Sequence, residues 1–182
     1  MTTNKLDEIL KGYQDSFSSK TYSEENDDTD LLMNAFGITP QLKRENRQYW
    51  GRELGMCWQL LVTDICRTHC KNYGPALRFG NDEPCDLVVG NYAIDTKYRI
   101  GSGDSGTLKK FKLYGEMLKD QGYTPVFLIL RDDNLPAAMT ACYTGGWSVN
   151  TGVASYDFIK NISGFDVASY LSQKANMFLV SR

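Results

Sequence analysis

The sequence predicts one α/β domain with a central mixed β-sheet flanked by helices. Three observations carry that expectation. Residues 41–70 repeat apolar side chains at helical spacing. Two period-2 segments, 85–89 and 92–98, flank Gly90-Asn91, a two-residue hairpin turn suited to positive φ. Thr124–Leu130 (TPVFLIL) is almost wholly apolar, as a strand buried on both faces is. The order helix, hairpin, helix, strand, helix is that of a mixed α/β sheet. A length of 182 residues favours one domain with a core that needs no staple. At 42% hydrophobic and 23% charged, the composition excludes disorder throughout. A net charge of −2 excludes a histone-like polycation but leaves room for local patches.

Residues 1–40 read as an acidic extension. Within residues 1–30, three lysines face eight carboxylates. Residues 4–19 suit a short helix with Leu6, Ile9, Leu10, Tyr13 and Phe17 on one face. Ser18–Asp30 reads as a solvated loop or linker, and 29–36 as a second short helix before the Gly37-Ile38-Thr39-Pro40 break. The core spans 41–130. Trp50, Leu54, Cys57, Trp58, Leu61, Val62 and Ile65 make a wide apolar stripe on a central helix, which Tyr73-Gly74-Pro75 ends. The hairpin follows, then a glycine-serine loop at 101–106, a helix over 107–121 closed by Gly122, and the buried strand. In the C-terminal extension, 131–182, Met139–Tyr143 reads as a short strand. A helix capped near Asp166 follows it, and Met177–Val180 reads as a last apolar strand.

No apolar run approaches the roughly 18 residues of a membrane span, so no membrane partner is expected. The cysteines, at 57, 66, 70, 85 and 142, are odd in number and scattered, as reduced thiols of a cytoplasmic protein are. Cys66, His69 and Cys70 form a single cluster where zinc wants four ligands, so they read as helix packing. A single His disfavours His-based catalysis.

If Gly90 and Asn91 form the turn, Val89 faces Tyr92, Val88 faces Ala93, Leu87 faces Ile94, and Asp86 faces Asp95. Opposed residues hold their Cβ atoms roughly 4.5–5.5 Å apart on one face. Two carboxylates so close repel unless a cation lies between them, and hard oxygen ligands at that spacing suit Mg²⁺. Lys97, two residues beyond Asp95, falls on the same face. This set suits phosphodiester hydrolysis. A divalent ion activates water and neutralises growing charge, and an ammonium holds the water and balances the phosphate.

Pro84-Cys85-Asp86, eight intervening residues, then Asp95-Thr96-Lys97 resembles the PD-(D/E)xK nuclease superfamily. One residue separates Pro84 from Asp86, where the family name has none. The resemblance covers about 41–130 and implies a restriction-endonuclease-like core. It also implies metal binding by Asp86, Asp95 and the Thr96 carbonyl, with Lys97 serving the nucleophilic water. The family often adds a Glu from a preceding helix. At roughly 100° per residue, Glu53 lies at the edge of the apolar stripe and is the candidate, whereas Glu45 points away.

Gly101-Ser-Gly103-Asp-Ser-Gly106 matches a dinucleotide-binding spacing, but Asp95, Lys97 and Arg99 precede it where that fold needs an apolar strand. Its glycines suit close approach to a phosphate chain, with Ser102, Asp104 and Ser105 available to base edges. Lys97, Arg99, Lys109, Lys110 and Lys112 stand against Asp104 alone; Lys43, Arg44, Arg47 and Arg52 stand against Glu45 alone. Such patches supply phosphate contacts to DNA. A glycosidase pair is a poorer use of Asp86 and Asp95, because Lys97 lies beside them and no aromatic sugar-binding pattern exists.

The layout resembles a type II restriction endonuclease. It implies a homodimer cutting double-stranded DNA with Mg²⁺ (Mn²⁺ able to substitute), and a cognate DNA methyltransferase as functional partner. A junction resolvase or repair nuclease, and a non-catalytic DNA-binding module, are the rival expectations.

Overall fold

The computed structural model describes residues 3–181. The expected α/β architecture with a mixed sheet is present. Helix α1 (Thr3–Ser19) leads to β1 (Thr21–Tyr22), α2 (Leu31–Phe36), α3 (Pro40–Glu45) and the long α4 (Arg47–His69). Strands β2 (Tyr73–Pro75), β3 (Leu87–Val89), β4 (Tyr92–Lys97) and β5 (Ser102–Gly103) follow, then α5 (Ser105–Asp120) and β6 (Thr124–Ile129). The chain closes with α6 (Pro136–Thr144), β7 (Ser148–Thr151), α7 (Val153–Ser163) and α8 (Val167–Gln173).

The main sheet has the order β2-β3-β4-β6-β7. β2, β3 and β4 are antiparallel neighbours, whereas β4, β6 and β7 run parallel. β6 therefore sits between two parallel partners under both helix layers, which is why its sequence is apolar without alternation. On one face Trp50, Leu54, Trp58 and Val62 of α4 pack with Leu87, Ile94, Val126 and Leu128, together with α2, α7 and α8. On the other, Ala93, Phe127 and Ile129 meet Leu118 of α5 and Ala138 and Cys142 of α6. Among the described residues no helix is long and apolar enough to cross a membrane.

Several local expectations are corrected. The helical span 41–70 is two helices, because Asn46 leaves helical geometry and caps α4 with a side-chain oxygen that accepts from Tyr49 N–H at 3.0 Å. Tyr73-Gly74-Pro75 is an edge strand as well as a stop. A Cβ on Gly74 would meet Val88 Cγ2 at 2.6 Å, so glycine permits the pairing. Met139–Tyr143 lies inside α6, a helix that opens on Pro136 and whose last amide bonds come from Gly145. The apolar run was too short for periodicity to separate strand from helix. β7 and α7 were not anticipated. Met177–Val180 forms no strand, and its backbone donates to the carbonyls of Ala35 and Phe36 at the end of α2. The loop at 101–106 is shorter than expected, because Ser102–Gly103 pairs with β1 and Asp104 caps α5.

Residues 23–30 are not a solvated linker. Arg131, 5% exposed, donates to the Asp28 carbonyl at 2.6 Å and to the Asn26 side chain. Arg99 donates to the Ser23 and Glu24 carbonyls at 3.0 and 2.7 Å. Lys43, 4% exposed, pairs with Glu25 and donates to Tyr98 Oη at 2.6 Å. Tyr98 Oη in turn donates to Asp30 Oδ2 at 2.5 Å. The acidic segment is thus clasped by three buried or half-buried cations.

Candidate active site

The expected hairpin register forms: Leu87 opposes Ile94, Val88 opposes Ala93, and Val89 opposes Tyr92. Gly90 alone takes positive φ, at 59°, as the first central residue of a II′ turn does. The fourth expected pair, Asp86 opposite Asp95, does not form. The Asp86 N–H donates to the Ile94 carbonyl at 2.8 Å, and the ladder ends there. Its carboxylate turns to Thr96, accepting from the backbone N–H and from Oγ1 at 2.7 Å each. Gln59 Nε2 of α4 donates to the other Asp86 oxygen at 2.8 Å.

Asp95 pairs with Lys97 along the strand, with 14% of its side chain exposed against 36% for Lys97. Lys97 Nζ also donates to the Thr96 carbonyl at 3.3 Å and lies 5.8 Å from the centre of the Phe127 ring. Burial pushes the Asp95 carboxyl up to about 6; the Asp86 charge adds to this and Lys97 opposes it. Burial works against the Lys97 ammonium, but the charge and hydrogen bond of Asp95 and the charge of Asp86 hold it above the ordinary lysine value. The two carboxylates and the ammonium are therefore one electrostatic unit, although Asp86 and Asp95 are not a ladder pair.

These residues fit a hard divalent cation. A carboxylate offers about four lone-pair positions. Asp86 uses three of them on Gln59 and Thr96, and Asp95 uses one on Lys97. Both keep an acceptor free. The upward push on Asp95 comes first from burial, and a cation at its oxygens would favour the ionised form. Among the described residues no group of three His, Cys, Asp or Glu side chains gathers. An ion here would rest on Asp86, Asp95, the Thr96 carbonyl and water or phosphate oxygens, the pattern of Mg²⁺ rather than of structural zinc.

Glu53 does not reach this site. It pairs with Arg52 at 2.9 Å and borders a cavity formed by Phe36, Trp50 and Val180. The buried α4 positions are Trp50, Leu54, Trp58, Val62, Ile65 and Cys66, whereas Cys57 and Leu61 are only half-buried. That turns the inner face by roughly 35° from the expected stripe centre, at 100° per residue. The turn carries Gln59 inward and Glu53 outward. A search for carboxylates alone could not have found Gln59; the inward-facing Cys66 was the available signal.

The expected DNA contacts divide. Lys109, Lys110 and Lys112 are exposed on α5, and Arg47, Ser102 and Ser105 are exposed near the start of α4 and on β5–α5. Asp104 serves as the α5 cap, accepting from Thr107 N–H at 2.7 Å, which holds its carboxyl below the usual range. Arg99 is corrected to a structural role: it lies 3.2 Å from Asp133 with 11% of its side chain exposed, and clasps residues 23–24. Arg44 pairs with Asp27. Cys66 and Cys70 are buried, and His69 stacks on Phe165 at 5.2 Å, as packing residues do.

No family model matches the chain, and no curated protein or solved structure matches it either. The functional reading therefore rests on the site itself.

Proposed function

We propose that this chain is a Mg²⁺-dependent endonuclease of double-stranded DNA, sequence-specific in the manner of a type II restriction enzyme, leaving 5′-phosphate and 3′-hydroxyl ends. One observation carries the reading. Asp95 and Lys97 are paired on one strand end, and the charge of Asp86, held by Thr96 and Gln59, acts on both. Mg²⁺, with Mn²⁺ able to substitute, supplies charge neutralisation and a water of lowered pKa at such a site.

The chain's own groups do the rest. Gln59 and Thr96 fix the Asp86 carboxylate so that it meets a cation without reorganising. Asp86, Asp95 and the Thr96 carbonyl would hold the ion, and Lys97 Nζ, which lies against Asp95 and the Thr96 carbonyl, would hold the attacking water and balance the scissile phosphate. The exposed lysines of α5 supply phosphate contacts. Cutting both strands of a palindrome calls for a two-fold reader, so the working species in this reading is a homodimer with a methyltransferase as its functional counterpart.

The test is incubation with bacteriophage DNA in Mg²⁺ or in EDTA. Discrete fragments in Mg²⁺ alone are expected. A smear would replace the reading with a non-specific or structure-selective nuclease, and bound but uncut DNA would replace it with a binding module.

A further inference from the structure

One cleft is lined by none of Asp86, Asp95 and Lys97. It encloses about 700 Å³ between the first turns of α4 and the β1–β5 ribbon. Lys20 and Tyr22 form one wall, Arg47 and Gly51 the other, and Gly101 and Ser102 the rim. We infer that this cleft seats one strand of the DNA beyond the scissile phosphate, with a phosphate held between Lys20 and Arg47 and a base against Tyr22. The inference rests on the nuclease reading for the identity of the polyanion.

Four observations support it. Lys20 and Arg47 are both exposed and make no ion pair among the described residues, although the Lys20 charge acts on the Asp104 carboxylate. Every other cation near this segment is neutralised: Lys43 by Glu25, Arg44 by Asp27, and Arg99 by Asp133. Second, Gly51 sits inside α4, where glycine costs about 1 kcal/mol relative to alanine. Packing explains its neighbour Gly55, whose Cβ would touch Tyr98 at 3.5 Å, but a Cβ on Gly51 would meet nothing within 4 Å. The missing side chain leaves the cleft open for something that approaches the helix backbone closely. Third, Tyr22 is 75% exposed and presents a flat ring at the entrance, as stacking platforms for bases do.

The fourth is position. Gly51 precedes Gln59 on the same helix by about 12 Å at 1.5 Å per residue. That is between three and four base-pair steps at roughly 3.4 Å each, within the reach of one short duplex site. Two carboxylates also line the cleft. Glu25 is neutralised by Lys43 and by Arg131 at 3.8 Å; Glu24 is exposed and opposes an anion.

The experiment measures binding of a random-sequence duplex pool in EDTA at low salt, and cleavage of phage DNA in Mg²⁺, on the same full-length preparations. Gly51→Met adds a side chain whose Cβ meets nothing within 4 Å and improves helix propensity, so its melting temperature should not fall. It should bind at least tenfold more weakly than wild type. Lys20→Ala and Arg47→Ala should each lower the slope of log affinity against log salt by about one. Equal binding by wild type and Gly51→Met, with unchanged slopes and intact cleavage, overturns the cleft and leaves the nuclease reading standing. Weakened binding by the three variants of a protein that never cleaves sinks the nuclease reading and keeps the cleft. No binding by wild type overturns both. If Gly51→Met loses its fold, the two salt slopes decide.

Discussion

Gln59, Asp86, Thr96, Asp95 and Lys97 separate positioning from chemistry. Asp95→Asn should remove cleavage by at least a thousandfold while DNA binding in EDTA and the melting temperature are retained. Gln59→Ala leaves one Asp86 oxygen without its donor. It should lower cleavage by about 10–100-fold, the usual effect of losing an outer-shell partner, and raise the Mg²⁺ concentration needed for half-maximal rate. Glu53→Ala should change neither, since its partner is Arg52 at the surface. Equal losses in the Gln59 and Glu53 variants would contradict these assignments. Asp95 and Lys97 were legible because both lie on one regular strand, where alternation fixes the face. Asp86 was legible as a residue but not in its conformation, because ladder arithmetic assumes that pairing continues and its N–H instead bonds to Ile94. Gln59 was not legible, because an amide has no charge to betray a site.

Elements with a strict period were readable, and elements defined by close approach were not. The hairpin and β6 follow from alternation and from a continuous apolar run. The α5–α6 contact depends on glycine instead. A Cβ on Gly115 would meet the Gly145 carbonyl at 2.3 Å and Trp147 Nε1 at 2.6 Å. That indole donates to the Phe111 carbonyl at 2.7 Å, so it cannot retreat without losing its bond. Gly115→Ala should therefore cost about 1–3 kcal/mol by overpacking, read as a lowered urea midpoint at unchanged m. Asn46→Ala, which removes the α4 cap, should cost about 1 kcal/mol by the same measurement. Pro136 and the three alanines of 136–144 favour a helix, a signal lost when Met139–Tyr143 is read alone; Gly145, distant from α5 in sequence but packed on it, closes that helix.

At the scale of the molecule, the N-terminal segment is held by charges distant in sequence, Arg131 most of all, 103 residues beyond Asp28. Arg131 is the centre: it bonds Asp133 at 2.8 Å, the Asp28 carbonyl and Asn26, and lies 3.7 Å from Asp30. Arg131→Met should release residues 23–30 to proteolysis while leaving the sheet folded. Acid should do the same. Burial pushes the Asp133 carboxyl up, but the hydrogen bonds from Arg131 and from Asn26 N–H, with the charges of Arg131 and Arg99, outweigh it and bring it below the ordinary value. A depressed carboxylate stabilises above its unfolded pKa, about 3.9, and that contribution fades as pH falls through the lower folded value. Protection of the amides of residues 23–30, corrected for intrinsic exchange, should thus be high at neutral pH and be lost as acid protonates Asp133, ahead of β6. The charge excess of residues 1–30 was plain in the sequence; that half-buried Glu25, Asp30 and the backbone of 23–28 meet Arg131, Arg99 and Lys43 was not, since the Arg99 and Arg131 pairings cross long stretches of chain.

The β1–β5 ribbon also sets an order of events. Thr21 pairs with Gly103, and Asn26 N–H bonds Asp133 across 107 residues, so these contacts close very large loops. The β3–β4 hairpin closes over two residues and forms on a far shorter timescale. As the chain emerges from the ribosome, residues 1–30 must wait for more than a hundred others before they can dock. The acidic segment is made before the partners that hold it, so the Asp86–Asp95–Lys97 hairpin can exist before the Lys20–Arg47 cleft does.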